Sequence, residues 1–260
     1  LSLADDLALA AELDIPLGLA MHKLTAQGDP LAAVAEVIEA EVTVTHLWAR
    51  NPLRLHDPES WSKGREHLGD IMDVALALRP GLIVLSTGNA GSLTWERAAD
   101  ALDENLRGTV RECEREGLRL ALEPTPAALA DLGFVHTLRD VIELGWRLGT
   151  LAVLDIDTCW NERNLVGTLT AGADDIALVQ VADRDLATHA VPDRLVPGEG
   201  GLPLQRIMGQ LVDDGYAGWF ELELVGPTIS SEDPHDAVTR GVDALRALLA
   251  ALAKNPDDPL

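Results

Sequence analysis

Short β-branched or apolar runs alternate with longer helical patterns along most of the chain. That alternation narrows the fold more than any other feature. The candidate strands are Ile15–Ala20, Val42–Leu47, Leu82–Ser86, Leu118–Glu123, Leu151–Asp157, Ile176–Ala182 and Trp219–Leu224. The candidate helices are Leu3–Ala11, Pro30–Ala40, Arg65–Ala77, Trp95–Glu116, Thr137–Leu148, Leu204–Asp213 and His235–Leu252. Helical faces carry apolar residues three and four apart, as in Leu138, Val141, Ile142 and Trp146, and Gly149 is placed to cap that helix. Repeated strand–helix units predict an α/β fold with parallel strands. An open doubly wound sheet and a closed barrel both satisfy that pattern. No Gly-rich dinucleotide loop follows an early strand, and no P-loop occurs. His46, Glu123, Asp157, Gln180 and Glu223 all fall at the C-terminal ends of strands, where a barrel meets its ligands. The expected fold is therefore a TIM-type (β/α)8 barrel. Seven strands and an opening helix place the first barrel strand before Leu1. One domain is expected over residues 1–253, with a short polar tail over 254–260. The irregular stretches Ala49–Lys63 and Asp183–Pro203 follow strands and read as rim loops.

Charge limits the partners. The chain carries 43 acidic and 20 basic residues, a formal charge of −23, with only three lysines and no basic run. A nucleic-acid backbone needs clustered Lys and Arg, so the charge balance argues against nucleic acid as a partner and no nucleic acid is expected, and an anionic membrane surface is disfavoured for the same reason. A metal cation suits this field. No apolar run approaches the roughly 18 residues of a membrane span, and Leu1–Leu17 lacks the basic start of a signal peptide. A reducing, cytoplasmic setting is expected. Cys113 and Cys159 allow at most one disulfide and do not describe a stapled scaffold.

The candidate chemistry follows from strand parity. Alternate residues of a strand share a face. Glu123 lies on one face with Ala121 and Arg119, Asp157 with Asp155, and Glu223 with Glu221. Ionised side chains turned into an apolar barrel are costly unless paired or metal-bound. A carboxylate triad of Glu123, Asp157 and Glu223 at one rim is thus a candidate metal site. Oxygen-rich ligation favours Mg²⁺ or Mn²⁺, with Co²⁺ or Zn²⁺ as alternatives. Salt-bridge or capping roles are the competing reading for each carboxylate. His46 is a candidate for substrate oxygens or proton transfer. Arg194, then Arg184, are the candidates for a carboxylate or phosphate, because a guanidinium offers a bidentate fork. Trp48 and Trp160 are candidates for an apolar wall, and Asp183 for an orienting partner.

Several segments resemble, in order, the xylose-isomerase-like superfamily of sugar phosphate isomerases and epimerases, which are divalent-metal TIM barrels. Leu120-Ala121-Leu122-Glu123-Pro124 resembles a strand ending in a metal-binding Glu. Leu154-Asp155-Ile156-Asp157-Thr158 resembles the segment whose Asp, here Asp157, binds metal. Val179-Gln180-Val181-Ala182-Asp183, Arg194-Leu195-Val196-Pro197-Gly198-Glu199-Gly200 and Asp213-Asp214-Gly215-Tyr216-Ala217-Gly218-Trp219 leading into Glu223 complete the set. The resemblance runs from about Ala35 to Leu249. It implies one divalent ion on Glu123, Asp157, Gln180 and Glu223, with Glu123 and Glu223 also moving protons. Two positions depart from it. Gln180 stands where many members have His; Gln also occurs there in relatives resembling hydroxypyruvate isomerase and some dehydroshikimate dehydratases. An amide oxygen in place of imidazole favours Mg²⁺ or Mn²⁺. Trp160 stands where epimerases often carry a substrate-binding His, which widens the apolar face of the pocket.

The resemblance implies a metal-dependent isomerase or epimerase of a small hydroxy-carbonyl substrate in carbohydrate metabolism, working through an enediolate. A β-eliminating lyase of the dehydroshikimate-dehydratase kind uses the same residues and is the first alternative. A non-catalytic barrel acting as a binding or accessory subunit is the second. The partner is a small molecule, and family members often assemble as homodimers or homotetramers.

Overall fold

The structure, a computed structural model, describes residues 1–26 and 28–253. The tail expected over 254–260 lies outside the described residues. The described residues form two compact units, one within Leu1–His136 and Glu143–Leu151, the other within Thr137–Ile142 and from Ala152 onward.

The first unit opens with α1 (Leu3–Leu13), β1 (Leu17–Ala20), α2 (Met21–Thr25) and α3 (Pro30–Glu39). It continues through β2 (Val44–Ala49), α4 (Trp61–Leu78), β3 (Leu82–Ser86), α5 (Trp95–Glu116) and β4 (Arg119–Glu123). Local chemistry sets the ends of its helices. Ser2 and Asp5 form a reciprocal capping box at α1, and Asp29 accepts from the Leu31 N–H ahead of Pro30 in α3. Gly117 ends α5 in the left-handed conformation. β1, β2, β3 and β4 pair in that order, all parallel. All five residues of β3 are buried, as expected of a parallel strand covered on both faces. α5 packs Ala98, Leu102, Leu106, Val110 and Cys113 inward at helical spacing.

α6 (Leu138–Leu148) contributes residues to each unit. The second unit follows with β5 (Leu151–Asp155), α7 (Ile156–Cys159), α8 (Leu165–Gly172), β6 (Ile176–Val181), α9 (Leu204–Asp213), β7 (Trp219–Leu222), α10 (Pro227–Ser230) and α11 (Pro234–Leu252). β5, β6 and β7 are again parallel and in sequence order. Strands that follow the sequence without reversal exclude the doubly wound sheet, whose strand order switches direction. The fold is α/β, of the (β/α)8 TIM-barrel type, with seven strands among the described residues. No helix among those residues is long and apolar enough to cross a membrane.

Three expectations are corrected. β5 does not run to Asp157: it stops at Asp155 and the chain turns directly into α7. Asp157 therefore sits on a helical turn, and the parity argument that set it beside Asp155 on one strand face does not apply. The buried stripe of α6 takes in Leu138, Val141, Ile142 and Leu144, while Trp146 is 62% exposed. Gly145 lies on that stripe because a Cβ there would meet the Thr150 carbonyl oxygen at 2.6 Å. Helix α8, between β5 and β6, has no counterpart in the sequence reading.

Candidate functional site

In the first unit, β2 carries His46 and Trp48 on one face. His46 is buried, with its Nδ1 3.0 Å from Thr45 Oγ1. Trp48 and Ala121 share a row, because both register with Val84 of β3. Glu123 follows Ala121 by two residues and so keeps its face. The Trp48 indole Nε1–H donates to Glu123 Oε2. A residue read as apolar wall thus orients the buried carboxylate that ends β4. Trp48→Phe keeps most of the ring and removes the donor. It is expected to cost about 1.5–3 kcal/mol, the usual worth of a hydrogen bond to a charged group, measured by urea unfolding.

In the second unit, the ends of the strands gather a denser polar array. Asp155 registers with Gln180, and Gln180 with Glu221, so one row crosses β5, β6 and β7. Asp157 lies beyond it in the first turn of α7, and Glu223 follows β7 while still donating its backbone N–H to Val181 O. Arg194 is 4% exposed and enters this array. Its Nη2 donates to Asp155 Oδ2 at 2.7 Å, its Nε lies 3.6 Å from Asp157 Oδ2, and its Nη1 contacts Glu223 Oε2. Arg184 Nη2 donates to the same Asp157 Oδ2 at 2.6 Å. Trp160 is half-buried and caps the C-terminus of α7.

Asp155, Asp157 and Arg194 are buried here and Glu221, Glu223 and Arg184 half-buried, and two of the carboxyl groups respond. Burial holds Asp157 above the usual carboxylate range, against the pull of the Arg184 hydrogen bond. Burial also pushes Glu223 up to about 7, with Arg194 opposing and the charges of Asp155 and Glu221 adding to the rise. Two acceptor oxygens in the array, Asp157 Oδ1 and Gln180 Oε1, are buried with no hydrogen-bond partner. Buried oxygens in that state are costly unless a cation or a donor meets them, so these residues fit a hard divalent ion. No group of three or more His, Cys, Asp or Glu residues among the described residues is placed to hold a metal ion as the side chains stand. In the second unit the Arg194 guanidinium stands among the carboxylates.

The irregular stretch after β6 holds both arginines, and Asp183 is its anchor. Asp183 Oδ1 accepts from the Arg184 and Leu202 N–H groups and Oδ2 from that of Gly198, each within 2.8–2.9 Å. Its backbone pairs with Leu195 in both directions. A Cβ on Gly200 would lie 2.4 Å from Arg184 O and Asp183 Oδ1, so the loop closes only over glycine. Arg194 is held from the other side by its N–H to Val225 O, and Asp193 accepts from the Thr228 N–H and hydroxyl.

The family described as the xylose isomerase-like TIM barrel matches residues 10–248. The chain belongs to that family. Fructoselysine 3-epimerase of Escherichia coli O157:H7 is 27% identical over 185 residues, covering 68% of this chain and 64% of the epimerase. The chain therefore spans somewhat under two thirds of the length of that curated relative. A solved protein of Sinorhizobium meliloti 1021 superposes with a TM-score of 0.83 at 20% identity, covering 95% of this chain and 94% of that one. The IOLI protein, solved with a bound zinc atom, also reaches 0.83 at 17% identity, covering 97% and 94%. At such identities the likeness is one of fold.

Proposed function

We propose that this chain is a divalent-metal-dependent isomerase or epimerase of a small, sugar-like hydroxy-carbonyl compound. The observation that carries the reading is the polar array at the ends of β5, β6 and β7. It holds two buried acceptor oxygens without a hydrogen-bond partner, Asp157 Oδ1 and Gln180 Oε1, in one array with the carboxylates of Asp155 and Glu223. Similarity to fructoselysine 3-epimerase and to a zinc-holding relative supports it. Asp157, Gln180 and Glu223 would hold the ion. Such an ion, Mn²⁺ or Mg²⁺ for this oxygen-rich set and Co²⁺ or Zn²⁺ as alternatives, supplies positive charge to the substrate oxygen beside the carbon that loses its proton.

The chain's own residues do the rest. Glu223 would take a proton from the carbon next to the carbonyl and return it, the duty the family resemblance gives it. Arg184 would hold substrate oxygens. Trp160 supplies an apolar surface that limits water at the carbanion.

Proton NMR in D₂O tests this on a panel of ketoses and ketose–amine adducts with Mn²⁺ or Mg²⁺ present. Solvent deuterium is expected at a carbon next to the carbonyl of one panel member. Glu223→Gln is expected to slow that exchange by about 10²–10⁴-fold with little change in KM. Loss of water from the substrate would assign a lyase instead. Absence of both exchange and consumption across the panel would leave the accessory-barrel reading standing.

A further inference from the structure

Arg194 meets three different acids with three different nitrogens: Nη2 with Asp155, Nε with Asp157 and Nη1 with Glu223. Two of these acids, Asp157 and Glu223, are the residues assigned above to the metal. The guanidinium is buried, and its backbone is fixed by the Leu195–Asp183 pair and the Val225 carbonyl. It therefore occupies this position by construction of the loop and not as a passing contact of a surface side chain. Asp157 divides its oxygens: Oδ2 faces the two arginines and Oδ1 has no hydrogen-bond partner. A cation approaching Oδ1 and Gln180 Oε1 finds Glu223 already engaged by Arg194.

We propose that Arg194 is a built-in counter-cation that competes with the divalent ion for Glu223 and Asp157, so that loading the metal requires the guanidinium to move off these carboxylates. The proposal rests on the metal-dependent reading above. Its physical basis is that carboxylates this close cannot remain ionised together without positive charge among them, and either cation provides it. Arg194 then sets how tightly the protein holds metal, and keeps the array folded when metal is scarce. Arg184, which reaches only Asp157 Oδ2, leaves Glu223 untouched and competes less.

The test is titration of the full chain with Mn²⁺, reading the free ion by EPR, for the wild type, Arg194→Met and Arg194→Lys, each checked for folding by circular dichroism. Displacement predicts that Arg194→Met binds Mn²⁺ at least about tenfold more tightly than wild type. It also predicts that Arg194→Lys falls between them, because one ammonium keeps the charge but cannot hold three acids together. Should the Met variant fail to fold, the Lys variant alone decides. Equal affinity of Lys variant and wild type would mean that only net charge acts, and would overturn displacement. Equal or weaker binding by the Met variant would make Arg194 a support of the metal site, which also overturns it. Failure of wild type and both variants to bind Mn²⁺ would overturn the metal reading itself.

Discussion

Asp183→Ala is expected to destabilise the protein by about 3–5 kcal/mol, because it strips the acceptor from three backbone N–H groups in a buried turn. The carboxylate accepts from three peptide N–H groups, so its stabilisation comes from the peptide dipoles arranged around it. Asp183→Asn keeps one acceptor oxygen for Arg184 and Leu202 and turns an amide N–H towards the Gly198 donor. Its loss should be smaller, about 1–3 kcal/mol. Gly200→Ala offers a second route to the same failure, since its Cβ would press on a backbone carbonyl that cannot give way. Hydrogen exchange supplies the local readout. The amides of Gly198 and Leu202 should be protected in the wild type and exchange rapidly in Asp183→Ala, while β3 amides hold longest. Urea unfolding within about 1 kcal/mol of wild type, with protection retained, would show that the loop is held by other contacts.

That loop also marks how far the sequence could be read. Elements with strong local signals were legible to the residue: β3 at Leu82–Ser86, α5 at Trp95–Glu116 and α9 at Leu204–Asp213 match their expected bounds. β5 was overextended because Asp155, Ile156 and Asp157 continue its alternation, and only the turn of the chain into α7 ends it. α8 was missed because Gly167, Gly172 and two threonines depress helix propensity, and its buried Leu165, Thr168 and Leu169 supply the compensation through packing. Among the candidate site residues, placement at strand ends was legible and partnership was not. Strand parity places Glu123, but the expected strand Val42–Leu47 stops short of Trp48, 75 residues separate the two, and no local pattern joins an indole to a carboxylate. Arg194 was read as a fork for a substrate anion because its fork is visible in one letter. The three acids that take it come from β5, α7 and the end of β7, which only the folded chain brings together.

The second large effect follows from that gathering. With chelator present, Arg194→Met should lose about 3–5 kcal/mol of stability near pH 8, because Asp155, Asp157 and Glu223 are left without their shared cation. The loss should shrink on acidification, and the sign follows from Glu223. Its folded-state value of about 7 lies above its ordinary 4.5, so between these values the folded protein holds a proton that the unfolded chain has released. Stability therefore falls as pH rises through that window, already in the wild type. Removing Arg194 takes away the charge that holds Glu223 down, so the variant's fall is deeper and extends to higher pH. Well below pH 4.5 Glu223 is protonated in both states, and its part of the difference between the two proteins vanishes. Urea is the denaturant of choice, since guanidinium ion would mimic the missing side chain. Parallel stability curves for wild type and variant from pH 5 to 8 would show that Arg194 contributes packing and not charge. Saturating Mn²⁺ should restore much of the variant's stability at pH 8, because the ion then supplies the positive charge that the methionine cannot.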